Sequence, residues 1–216
     1  MATLVVFGDA ADGSVRCDSL TYADARSGAG SFVVSTTANP DNLGVLNFGG
    51  TYLYVDLYLG FDTSAIPDTD PVSAAVLSLY ASSANGAGPF PGVIGEARIY
   101  DWGATVTSAD FVPGDSLATL TLVATQDGAT FSPGSYNDWV SDAAMPANVS
   151  KTGFTRMVLA NDIQRTNGAA PAFNQGNLLT YQTSNAAGTT QDPKLTITHG
   201  STSSFHKESL LLGWVG

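Results

Sequence analysis

Acidic side chains on predicted turns are the candidates for metal chemistry in this sequence. They occur in two short groups, Asp9 with Asp12 and Asp68 with Asp70, each among small or polar residues typical of turns. Carboxylate oxygens are the hard ligands that Ca²⁺ prefers, although neither group has the spacing of an EF-hand loop. Two interpretations stay open: a structural Ca²⁺ ion at these turns, or aspartates that are solvated. No other cofactor is expected.

Three tyrosines, Tyr52, Tyr54 and Tyr58, alternate with apolar residues and so share one face of a predicted strand. Aromatic rings on a sheet can stack on sugar rings, as they do in carbohydrate-binding modules. Tyrosine also covers sheets by ordinary packing and is common at interfaces. The sequence leaves three interpretations open: a ligand platform, packing within the chain, or contact with another subunit.

No catalytic motif is present in the sequence. There is no Gly-x-Ser-x-Gly elbow, no His-Glu-x-x-His helix and no Walker-type phosphate loop. Both histidines, His199 and His206, lie near the C-terminal end, far along the chain from the single cysteine, Cys17. A carboxylate pair such as Asp56 and Glu96 could hydrolyse a glycosidic bond, but only at a separation that the sequence does not give. We predict a protein without a catalytic site.

The charge balance excludes two classes of partner. Eight Lys and Arg residues stand against 19 Asp and Glu residues, which gives a formal net charge of −11. Nucleic acids and anionic membranes bind clustered basic residues, and this sequence has no such cluster, so neither is an expected partner. No apolar run is long enough for a transmembrane helix. The N-terminal segment lacks the basic region of a secretory signal peptide, so we expect synthesis in a cytoplasm.

Alternating hydrophobicity predicts an all-β protein. Its clearest example is residues Thr51–Asp62, where alternate positions are apolar and are expected to face a core: Leu53, Val55, Leu57, Leu59 and Phe61. Further strands are predicted at residues 3–7, 31–37, 75–82, 94–101, 117–123, 155–160, 178–183 and 194–198. Short helices are predicted at residues 107–111 and 135–144, and a helical turn at 161–165. Strands without alternating helices favour an antiparallel β-sandwich or barrel. Residues 1–199 are expected to form one domain.

The C-terminal end differs from the rest of the chain. Residues 200–204 are Gly, Ser and Thr, which suits a flexible tether. The residues after them include six large apolar side chains: Phe205, Leu210, Leu211, Leu212, Trp214 and Val215. Such a segment gains free energy by leaving water. We predict that residues 205–216 dock on a neighbouring subunit or particle surface, against the alternative that they fold back on their own domain.

Two segments resemble the DNRLRE-type β-sandwich domains. The sequence from Leu59 to Pro67, LGFDTSAIP, leads into Val72–Tyr80, VSAAVLSLY, and resembles that family's central signature. The segment DPKLTIT, starting at Asp192, is similar to the family's closing strand, although the family usually has Arg where Asp192 stands. The sequence at Trp102 resembles the Trp-containing stretch of the family. The resemblance implies a jelly-roll-like sandwich of the kind found in cell-surface proteins and tailed-phage structural proteins, with no shared catalytic site.

Together these features favour a non-enzymatic structural component of a tailed-phage virion, either a capsid decoration protein or a tail or fibre protein. Its expected partners are a major capsid or tail protein and copies of itself. The alternative is a carbohydrate-binding module that recognises surface glycans. A glycan-cleaving enzyme is a third class, which would need a site that the sequence does not display.

Overall fold

The computed structural model describes residues 1–82 and 92–200. Among these residues thirteen strands form two antiparallel sheets, and three short helices lie between strands. The all-β class and the antiparallel sandwich that the sequence predicts are therefore confirmed. No helix in the described ranges is long and apolar enough to cross a membrane.

The strands are β1 (Ala2–Phe7), β2 (Gly13–Ser19), β3 (Ser31–Ser35), β4 (Asp41–Phe48), β5 (Thr51–Asp62), β6 (Val72–Tyr80), β7 (Ile94–Ile99), β8 (Leu122–Asp127), β9 (Tyr136–Asp138), β10 (Val140–Ser141), β11 (Phe154–Asn161), β12 (Gly176–Tyr181) and β13 (Lys194–His199). The helices are α1 (Tyr22–Ser27), α2 (Gly114–Leu117) and α3 (Asp162–Thr166). The smaller sheet has the order β1-β13-β6-β9. The larger has the order β10-β8-β7-β11-β5-β2-β3, with β4 joined to β5 and β12 joined to β4.

Strand β5 lies at the centre of the larger sheet and has the predicted bounds. One of its edges pairs with β2 over most of its length. The other edge pairs first with β4 and then with β11. The β4–β5 hairpin turns at Gly49 and Gly50, whose φ angles of 60° and 89° are those a tight two-residue hairpin turn requires and glycine adopts most easily.

The main core lies between the two sheets. Leu57, Leu59 and Phe61 of β5 belong to it and are almost fully buried, as predicted. Val55 is buried but outside this cluster, and Leu53 is only partly buried. The prediction that Leu53 lies inside is therefore corrected, because the packed cluster between the sheets begins only further along β5.

A second core covers the opposite face of β5. It contains Tyr54, Tyr58 and Cys17 from the larger sheet, and Phe111 and Leu117 from the segments packed over it. Helix α1 contributes the fully buried Ala25 to the same cluster. Strand β5 is therefore buried on both faces from Tyr54 to Phe61, which accounts for the large side chains on both of its faces.

Two predicted elements are corrected by the structure. Residues 135–144 form β9 and β10 rather than a helix: β9 pairs with β6 in the smaller sheet and β10 with β8 in the larger. Between them Trp139 is 1% exposed within the main core, and that buried side chain lies where the chain passes from one sheet to the other. Residues 117–123 do not form one strand. Leu117 is the last residue of α2 and packs in the second core, and β8 begins only at Leu122.

Strands β2 and β4 were not predicted from the sequence. Strand β2 alternates Val15 and Cys17, which enter the second core, with the polar residues Ser14 and Arg16. It has too few apolar side chains for an alternating hydrophobic pattern to stand out in the sequence. Strand β4 begins at Asp41, directly after Asn39 and Pro40, which are residue types typical of turns.

We predict that Leu57→Ala lowers the free energy of unfolding by about 2–5 kcal/mol, because it leaves a cavity in the main core. Urea denaturation of the purified protein would measure the change. Leu20→Ala is the matched control, since Leu20 is 79% exposed and its removal should alter stability by less than about 0.5 kcal/mol. A similarly small effect of Leu57→Ala would contradict the assigned facing of β5.

Candidate functional site

The tyrosines singled out in the sequence do not form an open platform. Tyr54 and Tyr58 are 0% exposed in the second core, and Tyr52 packs against it. The Tyr58 hydroxyl donates a hydrogen bond to the Asp110 carbonyl oxygen at 2.7 Å. Tyr54 contacts Phe111 edge to face. The ligand-platform interpretation of Tyr54 and Tyr58 is therefore corrected: helices and loops of the same chain cover these rings, and packing within the chain describes them.

In the first acidic turn Asp12 is buried, whereas Asp9 is only partly buried. Asp12 is 0% exposed, and its Oδ1 accepts the Gly60 N–H at 2.7 Å. Asp9 Oδ1 accepts the Ala11 N–H in the same turn. Burial raises the pKa of Asp12 well above its ordinary value, and the negative charges of Asp9 and Asp192 raise it further, while the Gly60 hydrogen bond opposes the rise. Asp12 therefore fastens the turn to strand β5.

The second acidic turn has other partners. Asp70 Oδ2 lies 2.8 Å from His199 Nδ1, which links the β5–β6 connection to the end of β13. Asp68 is exposed, and its carbonyl oxygen accepts a hydrogen bond from Lys151. In residues 1–82 and 92–200, no group of three or more His, Cys, Asp or Glu side chains is arranged to hold a metal ion. The geometry thus adds no support to Ca²⁺ at either turn.

The two carboxylates considered for glycoside hydrolysis are both enclosed. Glu96 is 4% exposed and bonds to the guanidinium groups of Arg98 and Arg165, with a shortest contact of 2.7 Å. Asp56 is 0% exposed and accepts hydrogen bonds from Gln164 Nε2 and the Val112 N–H, both at 3.3 Å. Burial raises the pKa of Asp56 well above its ordinary value, although these bonds oppose the rise. Both groups hold the covering segments on the larger sheet.

A cavity of about 220 Å³ lies where β2, β3 and β5 meet the start of β4, and most of its lining surface is apolar. Its polar lining comes from Ser14 and Arg16 of β2, Ser35 of β3, and Asp41 and Asn42 of β4. Val33 and Val55 supply apolar walls. The sequence analysis missed this site because it predicted neither β2 nor β4, the strands that supply most of its polar side chains. The alternation of Ser14 and Arg16 with Val15 and Cys17 was the signal that could have revealed a strand with one polar face.

Strand β3 exposes apolar side chains at the end of the larger sheet. Among the described strands it pairs only with β2, so its other edge is open. Phe32, Val33 and Val34 are 40%, 43% and 39% exposed. An exposed apolar edge strand is a surface to which another chain can add.

The predicted docking residues Phe205, Leu210, Leu211, Leu212, Trp214 and Val215 lie outside the described residues, as does His206. The described chain ends at Gly200, whose N–H donates to the Pro71 carbonyl oxygen beside the start of β1. The described chain therefore ends at one end of the smaller sheet.

We predict that Glu96→Gln lowers the free energy of unfolding by about 3–5 kcal/mol, because it leaves the Arg98 and Arg165 charges without their buried counter-charge. Urea denaturation would measure the loss. Asp101→Asn is the control, since the Asp101 side chain is 77% exposed in its ion pair with Arg156 and should cost less than about 1 kcal/mol. Equal losses in both variants would contradict the structural role of Glu96.

We also predict that Asp12→Asn stabilises the protein more at pH 7 than at pH 4. The folded state holds the Asp12 proton more tightly than the unfolded chain does, so wild-type stability falls as pH rises above the ordinary Asp pKa. Asparagine keeps the acceptor for the Gly60 N–H and does not titrate. Urea denaturation at both pH values would measure the difference, with the exposed Asp68→Asn as control. The same difference at both pH values would contradict the prediction.

Comparisons with known proteins give no relative from which a role could be transferred. No protein-family model matches this sequence, and no curated protein matches it significantly. Functional conclusions therefore depend on the residues and the geometry described above.

Proposed function

We propose that this protein is a non-enzymatic structural component of a tailed-phage virion, a capsid decoration protein or a tail or fibre protein, and that it acts by protein–protein assembly. The observation that carries the proposal is the open edge of β3 with its exposed Phe32, Val33 and Val34. Such an edge can extend a sheet into a neighbouring chain by backbone hydrogen bonds, while its apolar side chains leave water.

Two features of the sequence support the same proposal. The segment from Leu59 to Tyr80 resembles domains that occur in tailed-phage structural proteins. The apolar tail suits docking on a major capsid or tail protein, or on a second copy of this chain. On this proposal the protein is made in the host cytoplasm and resides in the virion.

The alternative function is a carbohydrate-binding module. Tyr54 and Tyr58 of its predicted platform are buried, so the side chains that could still meet a ligand are those that line the cavity beside Asp41. No observation favours a glycan-cleaving enzyme, since both candidate carboxylates bond to other groups of the chain.

Sedimentation velocity tests the assembly proposal. We expect the full chain to form oligomers, and deletion of residues 205–216 to lower the oligomeric state without changing the melting temperature of the sandwich. Val34→Lys should also weaken association, because it places a charge on the β3 edge. Phe173→Lys is the control, since Phe173 is 64% exposed beside Gly50 in the β4–β5 turn and is not part of β3.

Three outcomes would overturn the assembly proposal. One is a full chain that stays monomeric both alone and with purified virion proteins. Another is a deletion that keeps the oligomer but lowers the melting temperature, which would show that the tail folds back on its own sandwich. The third is flanking genes that encode no capsid or tail protein.

A further inference from the structure

Strand β3 has no charge, proline or bulge to protect its open edge. Proteins that avoid pairing with other chains place Lys or Pro on an edge strand or interrupt it with a bulge. The sequence of β3, SFVVS, contains neither residue. Its pairing with β2 runs from Ser31 to Ser35 without a shift of register. Among the described strands β2 is its only neighbour, so the outer backbone edge of β3 can pair with an added strand.

A strand that fits beside β3 must bring apolar side chains to both faces of the sheet. Phe32 contacts Phe111 on the face of the second core, Val34 shares that face, and Val33 lies on the other. All three β3 side chains are between 39% and 43% exposed. Residues 210–212 are three consecutive leucines, which an extended strand distributes over both faces. The composition of the C-terminal tail therefore matches β3.

A contact between the tail and β3 brings no like charges together. Each copy of the chain has a formal net charge of −11, so copies repel one another overall. Neither β3 nor residues 209–216 contains a charged side chain. Pairing of these two segments therefore buries apolar area without burying a charge.

The tail starts at the end of the molecule that lies away from β3. It follows β13, whose last residue pairs with Ala2 at the start of β1. Gly8, just past the other end of β1, lies roughly 20 Å from Ala2 along the extended strand and bridges Phe61 of β5. The nearest end of β3, Ser35, is level with Leu57, roughly 13 Å further along β5. Both β1 and β2 run antiparallel to β5, so the two distances add.

The tail can reach the β3 edge of its own chain only when it is fully stretched. Residues 201–209 precede the three leucines. A chain of that length spans about 30 Å when fully extended and about half of that as a Gly- and Ser-rich coil. The path to the near end of β3 is at that limit. The β3 edge of a second copy has no such restriction, because the whole second copy can move to the tail.

The open edge of β1 is closer to the tail but offers a weaker pairing. A tail strand on the β1 of its own chain would begin beside Ala2 and run towards Phe7, parallel to β1. Parallel pairing is slightly less stable per residue than antiparallel pairing. A second copy can approach in either direction, so the tail can pair with its β3 antiparallel.

We propose that the open edge of β3 binds the C-terminal tail, residues 205–216, of a second copy of this chain as an added antiparallel strand. The inference rests on the proposed assembly function and names the partner of the β3 edge. The two contact surfaces are different, so copies join head to tail. Such joints generate closed rings or open chains of copies.

A mixture of two full-length variants tests this joint. Leu211→Lys changes the tail and Val34→Lys changes the edge, and each variant keeps the other surface intact. We expect each variant alone to associate at least about tenfold more weakly than the wild type, because the joint would have to desolvate a charge. An equimolar mixture should form a one-to-one complex with nearly wild-type affinity, because an intact tail then meets an intact edge. Sedimentation velocity with one variant fluorescently labelled would measure the complex.

Two control variants add the same charge outside the joint. Ser203→Lys lies before the docking segment and Phe173→Lys lies outside β3, so each should associate as the wild type does. Thermal melting followed by circular dichroism checks that every variant is folded. Val33→Lys replaces Val34→Lys if the latter does not fold, since Val33 is 43% exposed.

Three results would overturn the joint between the tail and β3. One is a mixture in which neither variant regains association, which would indicate that edge pairs with edge or tail with tail. Another is wild-type association by either variant alone. The third is a wild-type chain that is monomeric alone but binds a purified virion protein.

Each of these results leaves the assembly proposal standing, because the wild-type chain still associates with itself or with another protein. The assembly proposal fails when the wild type stays monomeric both alone and with virion proteins. Failure of the joint and failure of the assembly function are therefore distinguishable.

Discussion

Both faces of strand β5 must be covered, and most of the other strands, helices and loops pack so as to cover them. This strand of twelve residues pairs with β2 along part of one edge. Along its other edge it pairs with β4 and β11. Leu57, Leu59 and Phe61 face the smaller sheet, whereas Tyr54 and Tyr58 face helices and loops. A two-sheet sandwich normally leaves the outer face of each sheet in water. Here the larger sheet carries a third layer over its centre.

That third layer is held by polar contacts as well as by packing. Its short helices and loops bring backbone groups and charges against a sheet, where each needs a partner. The Tyr58 hydroxyl and the Asp56 carboxyl group of β5 bond to backbone groups of this layer. The Gln164 side chain of α3 bonds in turn to the backbone of β5. Glu96 joins Arg165 of α3 to Arg98 of β7. Carboxyl groups that suggested chemistry in the sequence therefore serve as anchors, and this use removes them from solvent.

The surfaces that remain open are those the covering layers do not reach. At the end of the larger sheet, β3 pairs among the described strands only with β2, and side chains of β2 border a cavity closed by the start of β4. The exposed apolar side chains of β3 lie on both faces of the strand, because successive side chains of a strand point in opposite directions. Val33 faces the cavity, and Phe32 and Val34 lie on the other face.

Strong local patterns predicted much of the fold, whereas the candidate site depended on tertiary contacts. The alternation in residues Thr51–Asp62 defined β5, since its side chains repeat the period of a strand without interruption. The same alternation could not show what would cover Tyr54 and Tyr58, because the covering residues, such as Phe111 and Leu117, come from distant segments. Strands β9 and β10 are too short for periodicity, and only their pairing partners in two different sheets define them. The cavity beside Asp41 likewise exists only because β2, β3, the start of β4 and β5 meet there, so strand packing determined its shape.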